Sequence, residues 1–276
     1  MCILKKILLI QIVLMICATC LFAEQSQPPP DQKVAKRKTH DLSFAVSIDS
    51  VLYKIKQKRD VAFIDVRNQD EYTKIHIPGS MNVPLYSIKT KPFLKKTPIV
   101  LVNNGFNYNQ LENECKKLKE GGFNVSILWG GLTAWKDKGM EFEGDLFSVN
   151  RLNRISSREV YLEKDYEGFI TMSISTESTI DSNEFFPECK HLKTIDTKTI
   201  SPVVAAQNRN PFICVLIFNK DGTGYDEYEK SVKKSGLINV FYLSGGLNGY
   251  SGFLKDVALS IAPRQDREKT VNKCSP

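Results

Sequence analysis

The stretch IVLVNNGFNYNQ, residues 99–110, predicts the folding unit of this chain. Its first four residues form a continuous apolar run, which is typical of a strand buried on both faces of a sheet. A polar loop with one glycine follows, and residues 109–119 then place Leu111, Cys115 and Leu118 at helical spacing. A buried strand that passes through a loop into a helix is the repeating unit of α/β proteins with parallel sheets.

The residues around this unit continue the alternation. Short apolar strands are predicted at residues 61–66, 81–84 and 125–128, and a helix at residues 47–58. A further helix is expected directly after the glycine pair at residues 130–131. Because helices separate the strands, we predict the α/β class, with a parallel sheet covered on both faces.

The chain then repeats the unit. Residues 212–218 repeat the apolar strand, residues 219–224 the loop and residues 225–234 the helix. Val100 and Val215 each lie 30 residues before a double glycine. An internal repeat of this kind predicts two structurally similar domains.

The N-terminus predicts export. Lys5 and Lys6 precede an apolar run at residues 7–22, and the small residue Ala23 closes it, which is typical of a secretory signal peptide. We therefore expect a periplasmic or secreted protein that meets the membrane only through the signal or an uncleaved anchor. Anchoring by an uncleaved signal, or by a lipid at Cys20, stays open.

Composition divides the rest of the chain. We predict a signal peptide, a Pro-containing linker, a first half, a second half and a basic tail, at residues 1–23, 24–40, 41–145, 155–262 and 263–276. Residues 1–40 and the tail carry +4 and +2 of the net charge of +7. The remainder is nearly neutral, so no nucleic-acid partner is predicted.

Four cysteines follow the signal peptide: Cys115, Cys189, Cys214 and Cys274. An oxidising compartment allows disulfides between them, and the three possible connectivities stay open. After the predicted signal peptide the chain has no CxxC motif and no cluster of Cys and His, so we predict neither a metal site nor a cofactor.

Two longer motifs carry a family resemblance. Residues 64–85 read IDVRNQDEYTKIHIPGSMNVPL, and residues 121–139 read GGFNVSILWGGLTAWKDKG. Together they resemble a rhodanese (sulfurtransferase) domain over about residues 45–140. The second half resembles the same family more faintly, over about residues 158–255. The resemblance implies two tandem rhodanese-like domains, each an α/β/α sandwich around a parallel sheet.

Individual residues of these motifs have structural interpretations. We expect Asp65 to cap following backbone N–H groups, and Arg67 to pair with Glu71 across a helical turn. We expect the other motif residues to form a tight turn, to allow a strand and a helix to pack closely, or to cover the sheet. The residues interpreted in this way are Asp65, Arg67, Glu71, His76, Pro78, Gly79, Gly130, Gly131 and Trp135.

The resemblance also implies where a catalytic cysteine belongs. Active rhodaneses carry the sulfur on a cysteine in the loop after the central strand. Here that position is Asn103 or Gly105 in the first half and Asn219 or a neighbouring residue in the second. We therefore predict no catalytic residue. The loop residues are candidates for binding instead: Asn103, Asn104, Gly105, Phe106, Asn107, Tyr108, Asn219, Lys220, Asp221, Gly222, Thr223 and Gly224.

The resulting hypothesis is an exported rhodanese-like protein without sulfurtransferase activity. It would bind a small anion or a partner protein in a sulfur or redox setting, through backbone N–H groups at helix N-termini. The alternative is an active thiosulfate sulfurtransferase that uses a cysteine outside the loops, Cys189 or Cys274.

Overall fold

The computed structural model describes residues 37–174, 182–193, 195–210 and 212–261. The predicted signal peptide, residues 24–36 of the linker and the basic tail lie outside the described residues, as does Cys274. Within the described part of the chain, no helix combines the length and the apolar character needed to span a bilayer.

The first half contains a five-stranded parallel sheet of order β1-β6-β5-β2-β4. Two further strands form a small antiparallel pair. The strands are β1 (Ala45–Val46), β2 (Ala62–Asp65), β3 (Ile75–His76), β4 (Met81–Asn82), β5 (Ile99–Val102), β6 (Val125–Leu128) and β7 (Glu143–Gly144).

The helices of the first half begin at polar residues or at residues with left-handed backbone. Ser47 caps the first of them, because its side chain accepts a hydrogen bond from the backbone N–H of Ser50. The helices are α1 (Ile48–Lys56), α2 (Gln69–Lys74), α3 (Tyr108–Glu120) and α4 (Gly131–Asp137). Short 3₁₀ helices occupy Leu42–Phe44, Leu85–Thr90, Pro92–Lys96 and Leu146–Arg151.

The second half contains another five-stranded parallel sheet, of order β8-β12-β11-β9-β10. Taken in chain order, its strands occupy the same places as those of the first sheet, so the sequence repeat is also a repeat of topology. The strands are β8 (Arg154–Ile155), β9 (Phe169–Ile174), β10 (Lys190–Leu192), β11 (Cys214–Phe218) and β12 (Val240–Leu243). The α/β class with parallel sheets is thereby confirmed.

Helices also surround the second sheet. A capping box starts the first of them: the Ser156 hydroxyl accepts from the Glu159 N–H, and the Glu159 carboxylate accepts from the Ser156 N–H. The helices are α5 (Ser157–Glu163), α6 (Ser182–Phe185), α7 (Thr197–Arg209), α8 (Tyr225–Ser235) and α9 (Gly246–Ile261).

The central strand of the first half is buried on both faces. Ile99 and Leu101 pack with Leu111 of α3, whereas Val100 and Val102 belong to a separate core cluster on the opposite face. Successive side chains of a strand point to opposite faces, so one short strand supports two cores. The loop that follows it is fixed at the carboxyl edge of the sheet.

A short N-terminal segment, residues 37–40, joins the second half before the chain enters the first sheet. Lys38 donates its N–H to the carbonyl of Asp165 at 2.9 Å and accepts from the N–H of Glu167 at 2.8 Å. Arg37 forms an ion pair of 2.6 Å with Glu188. The last residues of the predicted linker are therefore packed against the second half.

Candidate functional site

The first loop, residues 103–107, is closed by the side chain of its own first residue. The Oδ1 atom of Asn103 accepts a hydrogen bond of 2.8 Å from the N–H of Gly105. The Nδ2 atom of Asn103 donates to the carbonyl of Phe106. A single amide group thus forms hydrogen bonds with both a donor and an acceptor of the loop backbone.

The second loop, residues 219–224, is closed in the same way. Asn219 accepts at Oδ1 from the N–H of Gly222 at 2.6 Å and donates from Nδ2 to the carbonyl of Thr223 at 2.7 Å. The two loops differ in length, yet in each the side chain of the first residue forms hydrogen bonds with the backbone of the same loop. Both helices that follow begin after a residue with left-handed backbone, Asn107 or Gly224.

The double glycines pack directly on the loops. The carbonyl of Asn103 accepts from the N–H of Leu132 at 2.9 Å, and that of Asn219 accepts from the N–H of Leu247 at the same distance. A Cβ atom at Gly131 would lie 2.3 Å from the Asn103 oxygen. This close approach of helix and loop explains why glycine is needed there.

The first loop is covered by the second half. Phe106 is only 4% exposed, and its ring lies 5.0 Å from that of Phe241 and 5.9 Å from that of Phe169. It therefore belongs to a core cluster formed otherwise by second-half residues. The sequence shows an apolar side chain in a polar loop, but only the structure shows which residues that side chain contacts.

The N-terminus of α3 already binds a carboxylate. Oε1 of Glu163, on α5, accepts a hydrogen bond of 2.8 Å from the N–H of Asn109. Negative charge is favoured at a helix N-terminus, where backbone N–H groups lack partners within the helix. A carboxylate of the same chain thus binds a backbone N–H group at the start of α3.

The same glutamate takes part in a buried bridge. The Nε2 atom of His40 lies 3.1 Å from Oε2 of Glu163, and its Nδ1 atom lies 3.2 Å from Oε2 of Glu112 on α3. The imidazole also stacks on Tyr166 at a centroid distance of 4.0 Å. His40 therefore joins a first-half helix to a second-half helix, beside a cavity of about 30 Å³ that borders the first loop.

The second loop is open by comparison. Lys220, Asp221, Thr223 and Gly224 are exposed. The Oδ1 atom of Asp221 accepts from the N–H and the hydroxyl of Thr223, at 3.1 and 2.9 Å, and these hydrogen bonds hold the pKa of Asp221 below its ordinary value. The aromatic residue behind the loop, Tyr225, is buried rather than presented at the surface.

Arg67 has different partners from those expected. It binds the carboxylate of Asp65, with an Nη2–Oδ2 distance of 2.6 Å, and also donates to the carbonyl of Ile75. The predicted pair with Glu71 was wrong, because the buried Asp65 carboxylate lies closer and faces the guanidinium directly. Glu71 instead accepts from Nδ2 of Asn104, which connects this network to the first loop.

The other motif residues serve the frame. Trp135 is buried and donates from Nε1 to the carbonyl of Glu141 at 2.8 Å. Nδ1 of His76 lies 2.8 Å from the carbonyl of Tyr72, on whose ring it stacks. Gly79 adopts a φ of 74° in the turn that includes Pro78.

The described cysteines are free thiols with suppressed ionisation. Burial raises the pKa of Cys115 to about 12, that of Cys189 to about 11 and that of Cys214 to about 12. A thiol must lose its proton before it can attack, so these values oppose nucleophilic chemistry at neutral pH. The described residues contain no group of His, Cys, Asp or Glu side chains suited to a metal ion.

These features define an α/β protein with two parallel sheets of the same strand order. In each half, the loop between the central strand and the next helix is closed by hydrogen bonds from its first residue, an asparagine. Residues 49–138 match the family of the rhodanese-like domain. This chain contains a rhodanese-like domain over that range.

Part of the chain is similar to a curated protein that is named as a sulfurtransferase. The chain is 37% identical over 76 residues to the adenylyltransferase and sulfurtransferase uba4 of Ogataea parapolymorpha, a match that covers 26% of this chain and 19% of that protein. The chain thus spans about a fifth of the length of this curated relative.

Solved structures were also compared. The rhodanese-like domain of an Anabaena protein is 26% identical, covering 38% of this chain and 82% of that one, with a TM-score of 0.34. The thiosulfate sulfurtransferase of Pseudomonas aeruginosa is 19% identical, covering 75% of this chain and 42% of that one, with a TM-score of 0.32.

Proposed function

We propose that this chain is an exported rhodanese-like protein that does not transfer sulfur and that binds a partner protein through its second loop. The observation that carries the proposal is the closure of both loops by Asn103 and Asn219. An amide cannot hold a persulfide, and its Oδ1 atom takes a backbone N–H that would otherwise face the sulfur. Similarity to sulfurtransferases supports a sulfur-related setting.

The two loops offer different opportunities for binding. At the first loop, Phe106 is packed in the core of the second half, and the Glu163 carboxylate already binds the N–H group that an anion would use. At the second loop the exposed residues Lys220, Asp221 and Thr223 remain accessible. A ligand there meets charges of both signs and a hydroxyl, which favours a polar protein surface with matching groups.

A small anion is a weaker candidate at the second loop. Oδ1 of Asn219 and of Asp221 already accept from the N–H groups of Gly222 and Thr223. Glu227 adds negative charge in the first turn of α8, next to Asp226, which is paired with Arg154 at 2.9 Å. These carboxylates repel an anion, although they do not oppose a partner that brings a basic side chain.

The enzymatic alternative requires a cysteine outside the loops. Cys189 is half-buried, and its raised pKa keeps it protonated at neutral pH. Cys274 lies outside the described residues. Neither observation favours sulfur transfer over binding.

A thiosulfate:cyanide assay on the mature protein tests the absence of catalysis. We expect no thiocyanate above the uncatalysed background from the wild type or from the Cys189→Ser, Cys274→Ser double variant, because neither loop contains a cysteine. Turnover by the wild type that disappears in either single variant would contradict the proposal.

Site-specific photocrosslinking tests the binding surface. A photoreactive residue at position 223 should give a discrete adduct in the source organism, and one at the exposed Tyr53 on α1 should not. The additional change Asp221→Lys should abolish the adduct, whereas Asp70→Lys on α2 should leave it intact. Adducts of equal yield at both positions, or insensitivity to Asp221→Lys, would refute binding through the second loop.

A further inference from the structure

A second pocket lies away from both loops, between the helix α4 of the first half and the helix α8 of the second. Its volume is about 440 Å³, which is within the range of sites for small molecules. Polar residues of both halves line it together with the apolar side chains of Val232, Leu237 and Val240. No residue of the two loops contributes to this pocket.

Ionisable groups converge on the pocket without being paired. Lys136, Asp137 and Lys233 all line it, and none of the three forms an ion pair with another residue that the structure describes. By contrast, Glu229 is paired, since its Oε1 atom accepts from Arg154 Nη1 at 2.6 Å and from Asn153 Nδ2 at 3.3 Å. The unpaired groups therefore comprise two ammonium groups and one carboxylate.

The pKa values of Lys136 and Asp137 are shifted. Loss of solvent lowers the pKa of Lys136, and the same effect raises the pKa of the Asp137 carboxyl. A bound anion would restore the stabilisation that the Lys136 ammonium has lost to burial.

A buried hydroxyl completes the pocket. Tyr242 is one of the residues that line the pocket, it is fully buried, and its hydroxyl has no hydrogen-bond partner among the described residues. An unpaired buried hydroxyl is energetically unfavourable, so such groups are expected to have a partner. The Arg154 guanidinium stacks on the Tyr242 ring at 4.6 Å, which holds the ring in place.

We propose that this pocket binds a small organic anion with a carboxylate or phosphate group. Lys136 and Lys233 neutralise the anionic group, the Tyr242 hydroxyl donates to it, and Val232, Leu237 and Val240 contact its apolar part. The proposal is independent of sulfur transfer and of the second loop. The ligand would bind at the interface between the two halves.

Isothermal titration of the mature protein with phenyl phosphate, benzoate and inorganic phosphate tests the proposal. We expect one site, and an organic anion should bind about tenfold more tightly than inorganic phosphate because of the apolar wall. Tighter binding of phenyl phosphate or of benzoate distinguishes a phosphate from a carboxylate ligand. Phenol, which lacks the charge, should bind at least about tenfold more weakly than the preferred anion.

Matched variants locate the site. Lys136→Met should weaken binding about tenfold or more, whereas Lys230→Met, an exposed lysine of α8 outside the pocket, should not change it. Tyr242→Phe removes only the hydroxyl and should weaken binding several-fold. The proposal is overturned by undetectable binding at millimolar ligand, by equal affinity of the wild type and Lys136→Met, or by loss of binding in Asn219→Ala.

Discussion

The first and second loops share a device but differ in surroundings. Each begins with an asparagine that binds the backbone of its own loop, and each is packed on a double glycine. The residue whose carbonyl accepts from that asparagine is the buried Phe106 in one loop and the exposed Thr223 in the other. The same backbone arrangement is thus an interior contact in the first half and a surface in the second.

The same loop arrangement therefore has a different role in each half. Phe106 and Glu163 turn the first loop into part of the interface between the halves. The second loop has no such cover from the described residues and keeps its polar side chains at the surface. The buried loop should therefore govern stability, while the exposed loop should tolerate substitution and serve recognition.

The largest expected effect is that of Phe106→Ala. Removal of this buried ring should reduce the free energy of unfolding by about 3–5 kcal/mol, because it leaves a cavity in the core of the second half. Urea unfolding measures the change, and Thr223→Ala is the matched control, expected within about 1 kcal/mol of the wild type. Equal destabilisation by the two variants would remove the distinction between the loops.

Thiol chemistry provides the next contrast. A cysteine introduced by Thr223→Cys lies in an exposed loop before a helix N-terminus, where a thiolate is favoured. The pKa of Cys189 is raised to about 11, so its thiolate fraction at pH 8 is small and increases only as pH approaches that value. Iodoacetamide at pH 8 should modify the new cysteine at least about a hundredfold faster than Cys189.

The pH profile provides the control for that experiment. Between pH 8 and 10 the labelling rate of Cys189 should increase about tenfold per pH unit. The rate at position 223 should level off earlier, because an exposed thiol has a pKa of about 8.5 or lower. Fast labelling of Cys189 at neutral pH, read by peptide mass spectrometry, would show that burial does not suppress its ionisation.

Loss of the closing amide should have a smaller effect. Asn103→Ala leaves the N–H of Gly105 and the carbonyl of Phe106 without their partner, at a cost of about 1–3 kcal/mol. Thermal or urea unfolding measures this change. Less than about 0.5 kcal/mol would mean that water replaces the amide even beneath the second half.

The smallest effect is expected from Asn219→Ala. Its loop is exposed, so water can satisfy the N–H of Gly222 and the carbonyl of Thr223 once the amide is gone. The variant should lose no more than about 1 kcal/mol of unfolding free energy and less than Asn103→Ala. The reverse order would indicate that the second loop is the better protected of the two.

Much of the frame was predictable because burial leaves a local pattern in the sequence. The apolar runs at residues 99–102 and 125–128 coincide with β5 and β6, and the repeat at residues 212–218 contains β11. The helix predicted at residues 109–119 corresponds to α3 within a residue at each end. Periodicity reports which residues are buried, and burial in turn fixes these elements.

The candidate site was less accessible to prediction. The absence of cysteine from both loops was readable, but the partners of Asn103, Phe106 and Glu163 were not. These contacts join residues that are distant in sequence, and neither periodicity nor spacing encodes them. The expected Arg67–Glu71 pair failed for a related reason, since a local spacing rule ignored the buried carboxylate of Asp65.

The segment at residues 37–40 has a mechanical consequence. It is bonded to Asp165, Glu167 and Glu188 before the chain reaches the first sheet. A pull on the chain from its N-terminal side therefore loads the second half first, and the ion pair and the two backbone hydrogen bonds must yield before the force reaches β1. If the protein is held at a surface by its N-terminus, tension would act on the contact between the halves before it strained either sheet.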